Sequence, residues 1–271
     1  MTFQDISCVG QCSLTVALPI LSAAGHETAI LPSAVLSTHT GGFKGFTFRD
    51  LSGDIVPITE HWKKEGIKFD AIYTGYLGSK EQIGYAIDMF SSLAKEEGFV
   101  SIVDPAMADN GKLYTGFDLA FVDEMKKLVA VADYILPNIT EACFLTGTEF
   151  REKYDKNYID SLLEKLASFC KGTVILTGVS YKDETTGVVV FGKGEEKYYE
   201  HKKLAKGSHG TGDVYASAFV GALLRGKDAF ESASIAADYT VKCIENTTGD
   251  PDHWYGVKFE TAIPYLIERL K

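Results

Sequence analysis

Short apolar runs rich in Val, Ile and aromatic side chains alternate along this chain with longer stretches whose apolar residues recur at helical spacing. The runs at residues 99–103 (FVSIV) and 173–177 (TVILT) have almost no polar side to turn toward water. Strands of that kind have to be covered on both faces. Strands are expected at residues 5–10, 27–31, 71–74, 99–103, 134–136 and 173–177. Helices are expected at 14–24, 80–97, 118–131, 157–169, 214–225, 228–245 and 262–270. The alternation predicts an α/β chain with a mainly parallel central sheet and helices on both of its faces. Ligands of such sheets sit beyond the carboxyl ends of the strands. Two stretches interrupt the pattern. Residues 35–51 are rich in Gly and Thr and read as a flap leading into a short strand, and residues 186–201 read as a hairpin around Gly192-Lys193-Gly194.

The segments that can carry chemistry follow the expected strands. Gly210-Thr211-Gly212-Asp213 leads straight into a helical run. A glycine turn at a helix start gathers backbone N–H groups and the positive end of the helix dipole at one point, which suits an anion. Asp213 sets a carboxylate beside that point, either as a general base for phosphoryl transfer or as a helix cap. Asp104, followed by Pro105, is either a carboxylate that holds Mg²⁺ through water or a turn former. Asn138 and Glu141 are three apart. They either face a phosphate and a metal-bound water together or form a helix cap. His39 and Thr40 lie in the glycine-rich flap, and Tyr76 follows residues 71–74, so all three are candidates for recognising a small ligand. The chain has no GxxxxGK[ST] loop, no GxGxxG after its first strand, no GxSxG elbow and no HExxH. Walker-type NTPases, Rossmann dehydrogenases and the usual serine hydrolases are therefore disfavoured.

A net charge of −10 and a pI near 5.1 argue against a nucleic-acid partner, which needs clustered Lys and Arg. A local positive pocket for an anionic substrate remains compatible with that charge. No apolar run approaches the roughly 20 residues that span a bilayer, and no leader is evident, so the expectation is a cytoplasmic protein without a membrane partner. Five scattered cysteines show no zinc-site spacing and read as small buried apolar residues. With no linker or repeat in view, residues 1–271 are expected to form a single domain.

Taken in order, LSTHTGGF (36–43), TGYLGS (74–79), VDPAMADNGKLY (103–114), LPNITEACFLTG (136–147) and HGTGDVYASAF (209–219) make the chain resemble the ribokinase-like superfamily, and within it the pyridoxal (vitamin B6) kinases. The resemblance implies a three-layer α/β sandwich and MgATP-dependent phosphorylation of the 5′-hydroxymethyl group of pyridoxal, pyridoxine or pyridoxamine. It implies ATP and Mg²⁺ as the required small molecules and a homodimer as the usual assembly. By the same resemblance, Asp213 matches the catalytic base and Gly210, Thr211 and Gly212 the anion hole. Asn138 and Glu141 match a phosphate and Mg²⁺ motif, Asp104 a carboxylate near the metal, and Thr177 a nucleotide-side position. His209 stands just before the anion hole, beside the phosphates. His39, Thr40 and Tyr76 match positions around the pyridine ring. Ser7 matches a position that bonds ring substituents, although residues 10–14 depart from the family pattern. Hydroxymethylpyrimidine kinases often carry Cys in place of Asp213. Kinases of hydroxymethylpyrimidine or of a sugar, and a non-catalytic B6-binding protein, stay open as other readings.

Overall fold

A computed structural model describes residues 1–204 and 209–271. The strands are β1 (Thr2–Ser7), β2 (Ile30–Leu36), β3 (Phe48–Asp50), β4 (Ala71–Thr74), β5 (Val100–Val103), β6 (Ala108–Asp109), β7 (Lys112–Leu113), β8 (Tyr134–Ile135), β9 (Thr173–Lys182), β10 (Thr185–Gly192) and β11 (Glu195–Lys202). The helices are α1 (Leu14–Ala23), α2 (Ser52–Lys64), α3 (Lys80–Ser92), α4 (Leu119–Val131), α5 (Ile139–Thr146), α6 (Lys156–Ala167), α7 (Thr211–Leu224), α8 (Ala229–Thr247) and α9 (Ile263–Arg269). Among the described residues, one nine-stranded sheet runs β11-β10-β9-β8-β5-β4-β1-β2-β3, and β6 and β7 form a separate ribbon. The strands from β9 to β2 are parallel, while β3, β10 and β11 pair antiparallel at the two edges.

The period-two geometry of a strand sends neighbouring side chains to opposite faces. Val174 and Leu176 enter one apolar layer and Ile175 the other. Val189 faces the first layer, and Val188 and Val190 face the second. Residues of α2 to α6 close the first layer, and those of α1, α7, α8 and α9 close the second. The result is the expected three-layer α/β fold. The helix after β1 lies in the second layer and the helix after β4 in the first. The chain therefore leaves these two adjacent strands in opposite directions, and a crevice opens at their carboxyl ends.

Several boundaries differ from the sequence expectation for local reasons. Strand β1 starts at Thr2, so Asp5 and Ser7 lie within the sheet and residues 8–11 form the turn beyond it. Strand β2 runs to Leu36, which shortens the flap at its start. Helix α3 stops at Ser92, not at residue 97, because the next residues bond to another segment. The N–H of Phe69 donates to the Leu93 carbonyl at 2.9 Å, and the N–H of Lys95 donates to the Phe69 carbonyl at 3.0 Å. Helix α2 was not expected from the sequence; it contains Gly53 and Pro57, both poor helix formers. The hairpin of β10 and β11 has its turn at Lys193 and Gly194, both with positive φ, as the sequence implies. No helix among the described residues is long and apolar enough to cross a membrane.

Candidate active site

The loop after β1 and the start of α7 face each other across the crevice. Helix α7 begins at Thr211, three residues earlier than its apolar pattern suggests, so Asp213 stands in the first helical turn. Its N-cap is Gly210, in the left-handed region at φ 75°, and no side chain caps the helix. A Cβ on Gly210 would overlap the Gln11 carbonyl oxygen, so only glycine fits there. A Cβ on Gly212 would meet nothing within 4 Å. One glycine is thus demanded by the protein's own packing, while the other borders open space beside first-turn N–H groups.

The Asp213 carboxylate is turned back toward the β1 loop. Burial pushes its pKa up to about 7, and the charge of Asp5 adds to the rise. The Ser13 backbone N–H and the Cys12 thiol oppose it by bonding the ionised form. Asp5, deeply buried in β1, accepts a hydrogen bond from the Ser7 hydroxyl at 2.9 Å. Burial raises its pKa, and the hydroxyls of Ser13 and Ser7 counter the rise.

Asp104 follows β5, and its N–H donates to the Thr74 carbonyl at 2.9 Å. Burial raises its pKa well above the usual carboxylate range, and the charges of Glu141 and Asp213 push it further. Glu141 and Asn138 form a complete capping box at the start of α5. The Glu141 N–H donates to Asn138 Oδ1 at 2.9 Å, and the Asn138 N–H donates to Glu141 Oε2 at 2.8 Å. Glu141 Oε1 accepts from the Met107 N–H at 3.1 Å, and Asn138 Nδ2 donates to the Ala108 carbonyl at 2.9 Å. The box staples α5 to the segment after β5. Even with these bonds, burial lifts Glu141 to about 8. Thr177 lies beside Asn138 across a parallel bridge, and its N–H donates to the Pro137 carbonyl at 2.9 Å. Carboxylates buried without a cationic partner among the described residues suit a hard cation in character. Among the described residues, however, no three metal-ligating side chains gather in one group. Mg²⁺ fits such a sparse set, because it keeps several waters and takes phosphate oxygens as further ligands.

The flap joins the C-terminal part of the chain. Its His39 is buried, and the Gly41 N–H donates to Nδ1 at 3.0 Å. That assigns the proton to Nε2, which donates to the Tyr255 carbonyl at 2.6 Å. Burial lowers the His39 pKa, the Tyr255 carbonyl works the other way, and His209 adds to the fall. Both ring nitrogens of His39 are therefore occupied by backbone. His39 and His209 lie 5.3 Å apart between ring centroids, and Phe43 packs on Trp254 at 4.7 Å. Thr40, next in the chain, is exposed. Tyr76 stacks on Phe117 at 5.5 Å, and burial with the nearby Asp5 charge raises its phenol to about 12.

The structure thus gathers Asp213, Gly210, Gly212 and Asp104, with Asn138, Glu141 and Thr177 on one flank and Ser7, Tyr76 and the flap histidine on the other. The sequence reading did not single out Asp5, Cys12, Ser13, Tyr255 or Tyr73, a buried β4 residue whose phenol feels the charges of Asp104 and Asp213. Asp5 had a detectable signal, an acidic residue between Phe3 and Ile6 in a strand buried along most of its length. The other four owe their place to contacts between segments far apart in the chain.

The family model described as phosphomethylpyrimidine kinase matches residues 24–256. The pyridoxal kinase of Sus scrofa is 29% identical over 181 residues, covering 62% of this chain and 52% of that protein. The hydroxymethylpyrimidine/phosphomethylpyrimidine kinase of Bacillus subtilis is 26% identical over 254 residues, covering 92% and 83%. The chain spans about half the length of the pyridoxal kinases it matches from Dictyostelium discoideum, pig and cattle. Among solved structures, pyridoxal kinase from Lactobacillus plantarum superposes with a TM-score of 0.91 at 29% identity, covering 98% of this chain and 95% of that one. A Bacteroides thetaiotaomicron protein named as a candidate phosphomethylpyrimidine kinase and crystallised with pyridoxal has a TM-score of 0.91 at 34% identity, covering 98% and 94%.

The raised pKa values have a consequence for stability. A folded state that holds carboxyl protons more tightly than the unfolded chain loses stability as pH rises from the usual carboxylate range, up to about 8 for Glu141. Asp104→Asn should therefore raise the melting temperature of the metal-free protein at pH 8 by about 2–4 °C, roughly 1 kcal/mol, and by much less at pH 5. Differential scanning fluorimetry at both pH values checks this, and a lower melting temperature at pH 8 contradicts it. The two glycines should also separate. Gly210→Ala costs about 2 kcal/mol or more through the left-handed backbone and the Gln11 overlap. Gly212→Ala leaves the denaturation midpoint within about 0.5–1 kcal/mol of the parent, the helix-propensity scale. Equal destabilisation in urea melts would refute the distinction.

Proposed function

The chain belongs to the phosphomethylpyrimidine kinase family, and on that premise we propose that it is a pyridoxal kinase, transferring the γ-phosphoryl group of MgATP to the 5′-hydroxymethyl group of pyridoxal, pyridoxine or pyridoxamine. The observation that carries the reading is Asp213. It is a carboxylate with a pKa of about 7, in the first turn of a helix that no side chain caps, beside a glycine that leaves room for an anion. A helix-capping aspartate would bond its own helix, whereas this one engages the loop after β1. A base with a pKa near the working pH is the one best matched to proton transfer.

In this reading the acceptor alcohol lies between Tyr76 and Asp213. Asp213 takes its proton as the oxygen attacks. Backbone N–H groups of Gly210, Thr211 and Gly212, with the helix dipole, neutralise charge building on the phosphoryl oxygens. Asp104 and Glu141 would hold Mg²⁺, which would supply positive charge to offset that of the triphosphate. Asn138 and Thr177 line the nucleotide side. Residues 38–45, tied to Tyr255 and Trp254, exclude water that would otherwise compete with the alcohol. The whole chain acts as one kinase domain. A second reading, a hydroxymethylpyrimidine kinase, draws on the Bacillus subtilis relative, which this chain matches over 92% of its length. The carboxylate at position 213, where those kinases often carry Cys, favours the B6 vitamers.

Purified protein with MgATP should phosphorylate pyridoxal with a higher kcat/KM than hydroxymethylpyrimidine. Inactivity on every B6 vitamer would end the proposal. Asp213→Asn should lower kcat by about two to four orders of magnitude while substrate dissociation constants change little. Because the base works only when ionised, kcat/KM should rise with pH through about 7 and level off above it. A profile flat from pH 6 to 8 would speak against a carboxylate base of this pKa. Tyr76→Ala, which removes the ring stacked on Phe117, should raise KM for the vitamer about tenfold with KM for ATP unchanged. A change confined to ATP would put Tyr76 on the other side of the crevice.

A further inference from the structure

Ser13 is the most strained non-glycine residue beside the proposed base. Its backbone sits at φ 55° and ψ −133°, a combination that L side chains avoid and glycine adopts freely. It is buried, and it bridges back to Ile6 of β1, next to Asp5. It also opens α1, since its carbonyl accepts from the N–H groups of Val16 and Ala17 at 3.0 and 2.9 Å. Ser13 stands between two carboxylates. Its hydroxyl lies near enough to Asp5, and its backbone N–H near enough to Asp213, to favour the ionised form of each. The same loop packs against the glycine turn, because the Gln11 carbonyl fills the space where a Cβ of Gly210 would lie.

The geometry points to Ser13 as a positioning residue for Asp213, with Asp5 as the anchor that keeps its backbone in this unfavourable conformation. The inference rests on the proposed role of Asp213. Strain of this kind persists only where the surroundings over-determine it. Here the anchor is the hydroxyl held by Asp5, itself braced by Ser7 at 2.9 Å. In the strained conformation the Ser13 N–H lies on the Asp213 side of the loop and favours its ionised form. If the conformation relaxes, the donor turns away and the base loses its orientation toward the acceptor. This explains an acidic residue inside a buried strand, where burial alone would disfavour it. It also makes a specific demand. Glycine at position 13 needs no anchor to adopt the same backbone, whereas alanine carries the strain of serine without the hydroxyl.

Steady-state kinetics and thermal melts of the wild type and a set of single and double variants test this. Ser13→Ala is expected to lower kcat about ten- to a hundredfold, with both KM values within about threefold of wild type. Ser13→Gly is expected to keep at least about half of the wild-type kcat, because glycine preserves the N–H direction. Asp5→Ala is expected to behave as Ser13→Ala does, and adding Ser13→Gly to it is expected to restore turnover. This rescue keeps the test valid if Ser13→Ala fails to fold. In an Asp213→Asn background, Ser13→Ala should cost nothing further, since it acts through the missing carboxylate. Loss of turnover in Ser13→Gly as deep as in Ser13→Ala overturns the inference, and so does full turnover in both. A further multiplicative loss in the Asp213→Asn background overturns it while leaving the base assignment standing. Wild-type turnover in Asp213→Asn alone removes the base assignment itself.

Discussion

Four carboxylates buried or half-buried around the crevice, with no cation among the described residues to pair them, set the terms for the rest of this molecule. Asp5, Asp104, Glu141 and Asp213 all have raised pKa values, and in each the leading cause is burial. No described lysine, arginine or histidine forms an ion pair with any of them; the ion pairs lie elsewhere, largely between exposed side chains. Isolated buried charge is costly, and proteins retain it chiefly where function uses it. The sheet holds these groups in place. The central parallel strands are locked between two apolar layers, so a carboxylate at a strand end cannot swing out to water without disturbing that packing.

Three of the four carboxylates are met by hydroxyl, thiol or backbone donors, and Asp104 has the charges of Glu141 and Asp213 beside it. Glu141 accepts three backbone N–H groups, from Asn138, Met107 and Ala108. Asp5 takes two serine hydroxyls, and Asp213 takes one backbone N–H and a thiol. Such donors steady an ionised group only in part, because a neutral dipole returns less than a full opposite charge. The carboxylates are left oriented but not neutralised. That state suits a site awaiting a cation and a proton, and it accounts for capping geometry and proposed catalytic geometry occurring in the same residues. Asn138 and Glu141 form a complete helix cap, yet Glu141 remains far from its ordinary pKa.

The layers, the hairpin and most of the helices were legible in the sequence, because an apolar period of two or of 3.6 is a local signal. TVILT reads as a doubly covered strand on its own, and Val174, Ile175 and Leu176 do divide between the two apolar layers. Helix α2 was hidden by Gly53 and Pro57, whose local preference gives way to tertiary packing through Ile55 and Thr59. The end of α3 was hidden because it depends on backbone bonds to Phe69, more than twenty residues away in sequence. The candidate site divides the same way. Asp213, Asp104 and the capping box lie just past recognisable elements. Ser13 carries no local sign of its backbone strain, and the tautomer of His39 depends on Tyr255, which is 216 residues distant.

Flap and base are linked physically. His39 is held by Gly41 and Tyr255, and it packs on His209, the residue immediately before the Gly210 turn. Gly10, one turn before Ser13, lies so close to His39 that a side chain there would overlap the imidazole. The flap, the β1 loop and the start of α7 therefore meet around one ring. Close-packed contacts of this kind tend to shift between discrete arrangements and do not deform smoothly. On the proposed function, covering the acceptor and aligning Asp213 become parts of one rearrangement. An enzyme built this way would align its base as it excludes water, which disfavours hydrolysis of the nucleotide while the acceptor subsite is empty.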